Sequence, residues 1–275
     1  MISPVFFWSV ISALAGFLFG FDTVVISGAE KTIQEIWKLD DQTHGFAIGS
    51  ALWGTVLGSL IGGFPTQKFG RKRTLLSIGL FYVVGSLGSA FAQDVYTFMA
   101  ARFLGGVAIG ISTVASPLYI SEISPQDRRG RLAGMFQFNI VFGILIAYAS
   151  NAALSSIGEN AWRWKLGVMI FPSILYTFSC FFIPKSPRWL ISKKQDLAGA
   201  ESILKLIYPA DSHEELKKRM VEISQQSKDH PVTENFWNWK LRKPIFLAFM
   251  IAFFNQMSGI NAILYYADRI FDWLD

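Results

Sequence analysis

The chain has 275 residues, 52% of them hydrophobic and 16% charged, with a net charge of +5. A soluble globular chain carries about 25% charged residues. The deficit, with apolar runs of spanning length, excludes an ordinary soluble domain and indicates an integral membrane protein. The basic excess does not indicate nucleic acid, because the Lys and Arg residues cluster in a few short loops, as topology signals do. Cys180 is the single cysteine, so no disulfide forms within the chain. His44, His213 and His230 have no ligand spacing between them, and no metal or other cofactor is expected.

The sequence alternates apolar runs with short polar breaks. Helical spans are expected near 5–28, 45–66, 74–92, 97–120, 132–153, 165–184 and 244–271. A membrane β-barrel would show short alternating segments instead. The first run lacks a basic leader, is too long for a signal peptide, and contains Asp22. A carboxylate at the bilayer centre costs about 3 kcal/mol on insertion scales. Asp22 is tolerated if it faces a bundle interior, pairs with a cation or takes up a proton; the bland alternative is that it reaches water at the helix end.

Lys and Arg set the orientation. The loop after the second span carries Lys68, Arg71, Lys72 and Arg73, and the one after the fourth carries Arg128, Arg129 and Arg131. Lys185, Arg188, Lys193 and Lys194 follow the sixth. The loops after the first and third spans carry Glu30, Glu35, Asp40, Asp41 and Asp94. The even-numbered loops and the N-terminus are therefore expected on the cytoplasmic side. Arg163 and Lys165 are a modest exception.

Small residues recur at i, i+4, in Gly16 with Gly20, in Gly54, Gly58 and Gly62, and in Gly106 with Gly110. Such faces let helix backbones approach closely in lipid. Between Ser192 and about Lys240 apolar residues are set among Lys, Glu and Gln. That pattern predicts short amphipathic helices, broken near Pro209 and Pro231, at the cytoplasmic surface.

Polar residues inside the spans are the candidate site. Arg102 is the cation available to Asp22, although an Arg so near a span's start could equally snorkel to the interface. Gln137 lies early in the fifth span. The seventh reads FFNQMSGINAILYYADRIF, with Asn255, Gln256 and Asn261 followed by Tyr265. Amides offer donors and acceptors to a neutral polyhydroxyl ligand, and aromatic faces pack on its apolar side. Interhelical hydrogen bonding is the plainer explanation for any one of them. A bend near Ser258 and Gly259 favours a site. Three loops each combine Arg with Gly or Pro: GGFPTQKFGRKRT, SPLYISEISPQDRRGR and IPKSPRWL. A charge network there could latch one conformation.

These motifs, in this order along essentially the whole chain, resemble the sugar porter branch of the major facilitator superfamily, and bacterial proton-coupled xylose and glucose symporters in particular. The resemblance implies an all-α, polytopic membrane protein of major facilitator fold. The sequence then stops after about seven of roughly twelve transmembrane helices. It implies a six-helix bundle over 1–191, linking helices over 192–240, and the first helix of a second bundle over 241–275.

The resemblance also assigns roles. Asp22 matches the proton-coupling acid and Arg102 its partner. Phe19, Gln137, Asn255, Gln256, Asn261 and Tyr265 fall on sugar-contacting positions. Gly70, Arg71, Lys72, Glu122, Arg129 and Arg188 match the cytoplasmic gate. The implied function is proton:monosaccharide symport by alternating access, without enzymatic chemistry, in a bacterial cell membrane. An uncoupled facilitator, a sugar sensor and a non-transporting fragment are the alternatives. The implied partners are a hexose or pentose, protons and the lipid bilayer, with self-association if the chain acts at this length. Four positions depart from the family pattern: Gln67 for Asp, Lys185 for Glu, Asn255 for Gln and Asp268 for Pro.

Overall fold

The computed structural model describes residues 4–158, 160–229 and 241–271. Helices dominate, and no strand occurs among the described residues. Five helical stretches are long and apolar enough to cross a membrane: Pro4–Gly28, Asp41–Ile61, Arg71–Phe91, Val95–Ile123 and Arg129–Ile157. They match the first five expected spans. Their helices are α1 (Pro4–Val25), α3 (Asp41–Ile61), α5 (Arg71–Phe91), α6 (Val95–Ile123) and α7 (Arg129–Leu154). A short α2 (Glu30–Ile36) follows α1, and α4 (Gly63–Lys68) follows α3. The outer faces stay apolar, with Leu60 78%, Phe91 72% and Phe138 69% exposed. In water such a surface would be an aggregation liability; against lipid chains it is solvated. The protein is an integral, multi-pass membrane protein.

Local chemistry sets where the helices begin. Asp40 accepts hydrogen bonds from the Gln42 and Thr43 backbone amides, capping α3. Asp94 accepts from the Tyr96 and Thr97 amides at 2.9 Å and from the Thr97 hydroxyl at 2.6 Å, capping α6. Bonds from Thr43 and from Thr97 hold these carboxyls below the usual range. Both caps are thus complete at neutral pH and are lost as pH falls through the lowered values.

The helices pack backbone to backbone where glycine allows it. α3 lies along α6, and α1 lies along α7. A Cβ at Gly54 would fall on the Phe103 carbonyl oxygen, and one at Gly106 on that of Ala51. Gly16 and Gly20 face the Phe136 and Ile140 carbonyls in the same way. The glycine faces read from the sequence are therefore interhelical contacts. Most span hydroxyls turn inward on their own helix: Ser50, Thr55, Ser86, Ser112 and Ser173 each donate to a carbonyl three or four residues back.

The sixth expected span is not one helix. α8 (Ala161–Gly167) gives way to α9 (Ile170–Ser179) across Val168 and Met169. Pro172 explains the break, because it has no amide for the Val168 carbonyl four residues earlier. Phe171 bonds that carbonyl instead, at 3.2 Å in a tighter turn. The seventh span is broken as well, into α13 (Arg242–Met257), α14 (Ile260–Tyr265) and α15 (Ala267–Phe271). Gly259 takes a left-handed φ of +73°, at the expected bend.

Between these spans lie α10 (Pro187–Trp189), α11 (Leu197–Ile207) and α12 (His213–Asp229). Ala200, Leu204, Ile207, Leu216 and Met220 are buried, so α11 and α12 are amphipathic as expected. They break at Pro209, and a capping box between Ser212 and Glu215 starts α12. The expected break at Pro231 lies outside the described residues.

Candidate functional site

Asp22, on α1, and Arg102, on α6, meet inside the bundle. An Arg102 terminal nitrogen donates to Asp22 Oδ1 at 2.6 Å, and the other lies 3.4 Å from the Asp22 carbonyl oxygen. Their side chains are 8% and 2% exposed, so neither reaches the interface by snorkelling. The carboxylate accepts at one oxygen only: Asp22 Oδ2 and Arg102 Nε are buried without a partner among the described residues. Tyr82 of α5 and Tyr265 of α14 lie within electrostatic range of Asp22, and the Tyr82 hydroxyl is likewise buried without a partner. The packing of α1 and α6 thus holds a charged pair with spare hydrogen-bonding capacity in a low-dielectric interior, where each charge depends on the other.

The other predicted contact residues are more dispersed. Phe19, one turn before Asp22, is half-buried, and Gln137 is exposed on α7. Asn255 and Gln256 are exposed on α13. Asn261 reaches back across the Gly259 break and donates to Gln256 Oε1 at 2.7 Å. Tyr265, one turn on, is 5% exposed. The break therefore ties Gln256 to Asn261, and Tyr265 beyond it is buried within electrostatic range of the charged pair. The side chains of Gln137 and Asn255 have no hydrogen bond among the described residues, although the Asn255 carbonyl accepts from the Ser258 hydroxyl.

A second cluster gathers the loop motifs. Arg71 donates to Glu122 Oε1 at 2.7 Å, and Ser186 donates to Glu122 Oε2 at 2.6 Å. Gly70 adopts a φ of +88° beneath the Trp189 ring, where a Cβ would stand 2.9 Å from a ring carbon. The Trp189 indole N–H donates to the Gln67 carbonyl at 2.9 Å. Gln67 thus contributes its backbone carbonyl to this cluster. Lys72 donates to the Phe181 carbonyl at 2.8 Å and has no carboxylate partner among the described residues. Arg129 and Arg188 are exposed and share with Glu122 a cavity of about 160 Å³. Ser186 and Trp189 both belong to the IPKSPRWL stretch, and nothing in their spacing marks them as site residues. Ser186 also caps α10 by accepting from the Trp189 amide. Ser186→Ala should therefore lower stability by about 1 kcal/mol, measured by thermal unfolding in detergent.

The far end of the bundle holds residues that charge counting placed in solvent. Glu30, counted as a loop acid, is 0% exposed and takes a two-pronged ion pair from Arg269 of α15. Lys165, the exception to the charge rule, donates to the Gly28 carbonyl at 2.9 Å, and Arg163 donates to that of Ala90 at 2.8 Å. Both cations terminate backbone carbonyls there.

Comparison with known proteins agrees with this architecture. The chain is 37% identical over 272 residues to the galactose-proton symporter of Escherichia coli K12, covering 97% of this chain and 57% of that protein. It is 35% identical to the arabinose-proton symporter of the same strain, covering 96% and 56%. A solved structure of the E. coli xylose transporter XylE, partially occluded and inward open, matches with a TM-score of 0.85 at 29% identity over 98% of this chain and 67% of that one. XylE bound to 6-bromo-6-deoxy-D-glucose, described as a major facilitator superfamily proton:xylose symporter, matches with a TM-score of 0.84 at 28% identity, over 97% and 62%. The chain thus has the major facilitator fold and spans a little over half the length of its curated relatives. The sequence model of the family described as "Sugar (and other) transporter" matches residues 8–275, and the chain belongs to that family.

Proposed function

We propose that this chain carries the first bundle and the seventh helix of a proton-coupled monosaccharide transporter working by alternating access. The observation that carries the reading is the buried Asp22–Arg102 pair with one carboxylate oxygen free. A proton arriving at Oδ2 neutralises the acid and weakens its hold on Arg102. One protonation event on α1 is thereby felt on α6. The named relatives support sugar and proton as the partners: they are symporters for galactose and arabinose. The sugar is bound and released without a bond being changed.

In this cycle, Gln137 and the amides of the seventh helix, Asn255, Gln256 and Asn261, present donors and acceptors to sugar hydroxyls. Phe19 and Tyr265 offer aromatic faces. The Arg71–Glu122 pair, with Gly70, Lys72, Arg129 and Arg188 around it, forms the latch on the cytoplasmic side. That orientation, with the N-terminus inside, follows from the Lys and Arg distribution. Residues 1–191 act as one bundle, 192–240 as the linker, and 241–275 as the start of the second bundle. The relatives' bacterial sources suit a cell membrane of that kind.

The test is reconstitution into liposomes, with uptake of labelled glucose, galactose and xylose followed with and without an inward proton gradient. Accumulation that depends on the gradient is expected. Entry that ignores the gradient would replace symport by facilitated diffusion. No uptake by verified folded protein would return the activity to a longer assembly and remove it from this chain.

A further inference from the structure

We infer that Glu30 and Arg269 form a second latch, at the end of the bundle opposite the Arg71–Glu122 cluster, which seats the broken seventh helix over the Asp22–Arg102 pair. The inference rests on the transport reading for its meaning, and on geometry for its existence. Arg269 Nε reaches Glu30 Oε1 at 2.9 Å, and a terminal nitrogen reaches Glu30 Oε2 at 2.7 Å. The same terminal nitrogen donates to Gln34 Oε1 at 2.7 Å. Two parallel bonds between guanidinium and carboxylate fix direction as well as distance, so the pair sets the angle at which α15 meets α2.

The first bundle holds the acid as well, through His44. Glu30 has no exposed surface, and His44 Nε2 of α3 stands 3.2 Å from both its Oε2 and its backbone oxygen. The Tyr266 ring packs edge-on against His44 and places a second residue of the seventh span at the joint. Arg269 is 34% exposed along its side chain, so the cation is the arm that approaches and leaves while the acid stays fixed. An acid buried this deeply is costly to leave without its cation, which makes the docked state the favoured one. Ser27 adds a weak bond to Asp268 at 3.4 Å on the same joint.

The consequence lies one turn away. Tyr265 is 5% exposed and lies within electrostatic range of Asp22 and Arg102, while Asn261, nearer Gly259, is only half-buried. With Arg269 docked, the segment after Gly259 lies over the charged pair and shields it from that side. Release of Arg269 lets α14 and α15 swing about Gly259, whose φ of +73° marks the natural hinge. Glu30 and Arg269 are thus positioning residues, acting on the pathway through Tyr265.

The experiment places a single cysteine at Tyr265 in a Cys180→Ser background, in lipid nanodiscs, and measures its rate of modification by a hydrophilic maleimide. Circular dichroism and size-exclusion profiles verify the fold. Glu30→Gln and Arg269→Gln should each speed modification by about fivefold or more, because the rate follows the undocked population. Arg269→Lys, which keeps the charge but loses the two-pronged geometry, should fall between the parent and Arg269→Gln. An unchanged rate in folded Arg269→Gln would overturn the latch, as would equal acceleration by the Lys variant. Sugar uptake, measured on the same variants with Tyr265 restored, separates the two ideas. Faster modification without any uptake in the parent would leave the latch standing and sink the transport reading.

Discussion

Asp22→Asn should abolish gradient-driven sugar accumulation while sparing sugar exchange across the membrane. The amide keeps the size of the side chain and cannot take up the coupling proton. The same substitution strips Arg102 of its counter-charge where the guanidinium side chain is 2% exposed. Removing one partner of a buried pair costs about 3 kcal/mol, because the remaining charge stays desolvated and uncompensated. Asp22→Asn should therefore unfold earlier than the parent in detergent. Asp22→Asn combined with Arg102→Met, which removes both charges, should recover most of that loss. Accumulation that persists unchanged in Asp22→Asn would take the acid out of the coupling. A double variant no more stable than Asp22→Asn would deny that the pair is what holds α1 to α6.

Gly106→Leu should leave little folded protein. A side chain at that position must occupy the space of the Ala51 carbonyl, which is backbone and cannot rotate aside. The neighbouring contact, Gly110 against Thr55 and Ser59, is equally close, so α3 and α6 would separate along much of their length. Overpacking of this kind costs about 3 kcal/mol or more. Gly49→Ala is the matched control. Nothing stands within 4 Å of a Cβ there, and alanine is about 1 kcal/mol better than glycine inside a helix. It should be neutral or mildly stabilising. Monodisperse yield and thermal midpoint in detergent read both variants, and a well-folded Gly106→Leu would refute the close-packing account of α3 and α6.

What the sequence made legible was what depends on pattern and sign. Apolar length located five uninterrupted helices, and the i, i+4 glycines located their contacts, because backbone approach in lipid requires small residues. Asp22 and Arg102 stood out because a charge inside an apolar run has few ways to be tolerated. Glu30 and Arg269 did not stand out, because a charge between spans reads as a topology marker whether it faces water or lies buried in a joint. Only the fold brings them together, across 239 positions of chain. The break at Val168 was hidden for a related reason. Pro172 was visible, but a proline near a helix start is tolerated and one further in interrupts, and hydropathy does not tell the two apart. Ser186 and Trp189 act through one hydroxyl and one indole N–H, whose partners are Glu122 and a backbone carbonyl, and such pairings have no periodicity to read.

The inward-turned hydroxyls bear on how the chain is made. A helix whose serines and threonines already bond its own carbonyls brings few unmet polar groups into the bilayer, so α3 and α5 can enter as finished units before they find neighbours. α1 is the exception. Its acid finds its guanidinium only after 80 further residues have been synthesised. During that interval the first helix is the costliest one to hold in lipid, and the arrival of α6 is what commits it. Biogenesis should therefore be slowest to settle at its first step, and a ribosome stalled before Arg102 emerges should leave α1 more readily extracted than one stalled after α6 is complete.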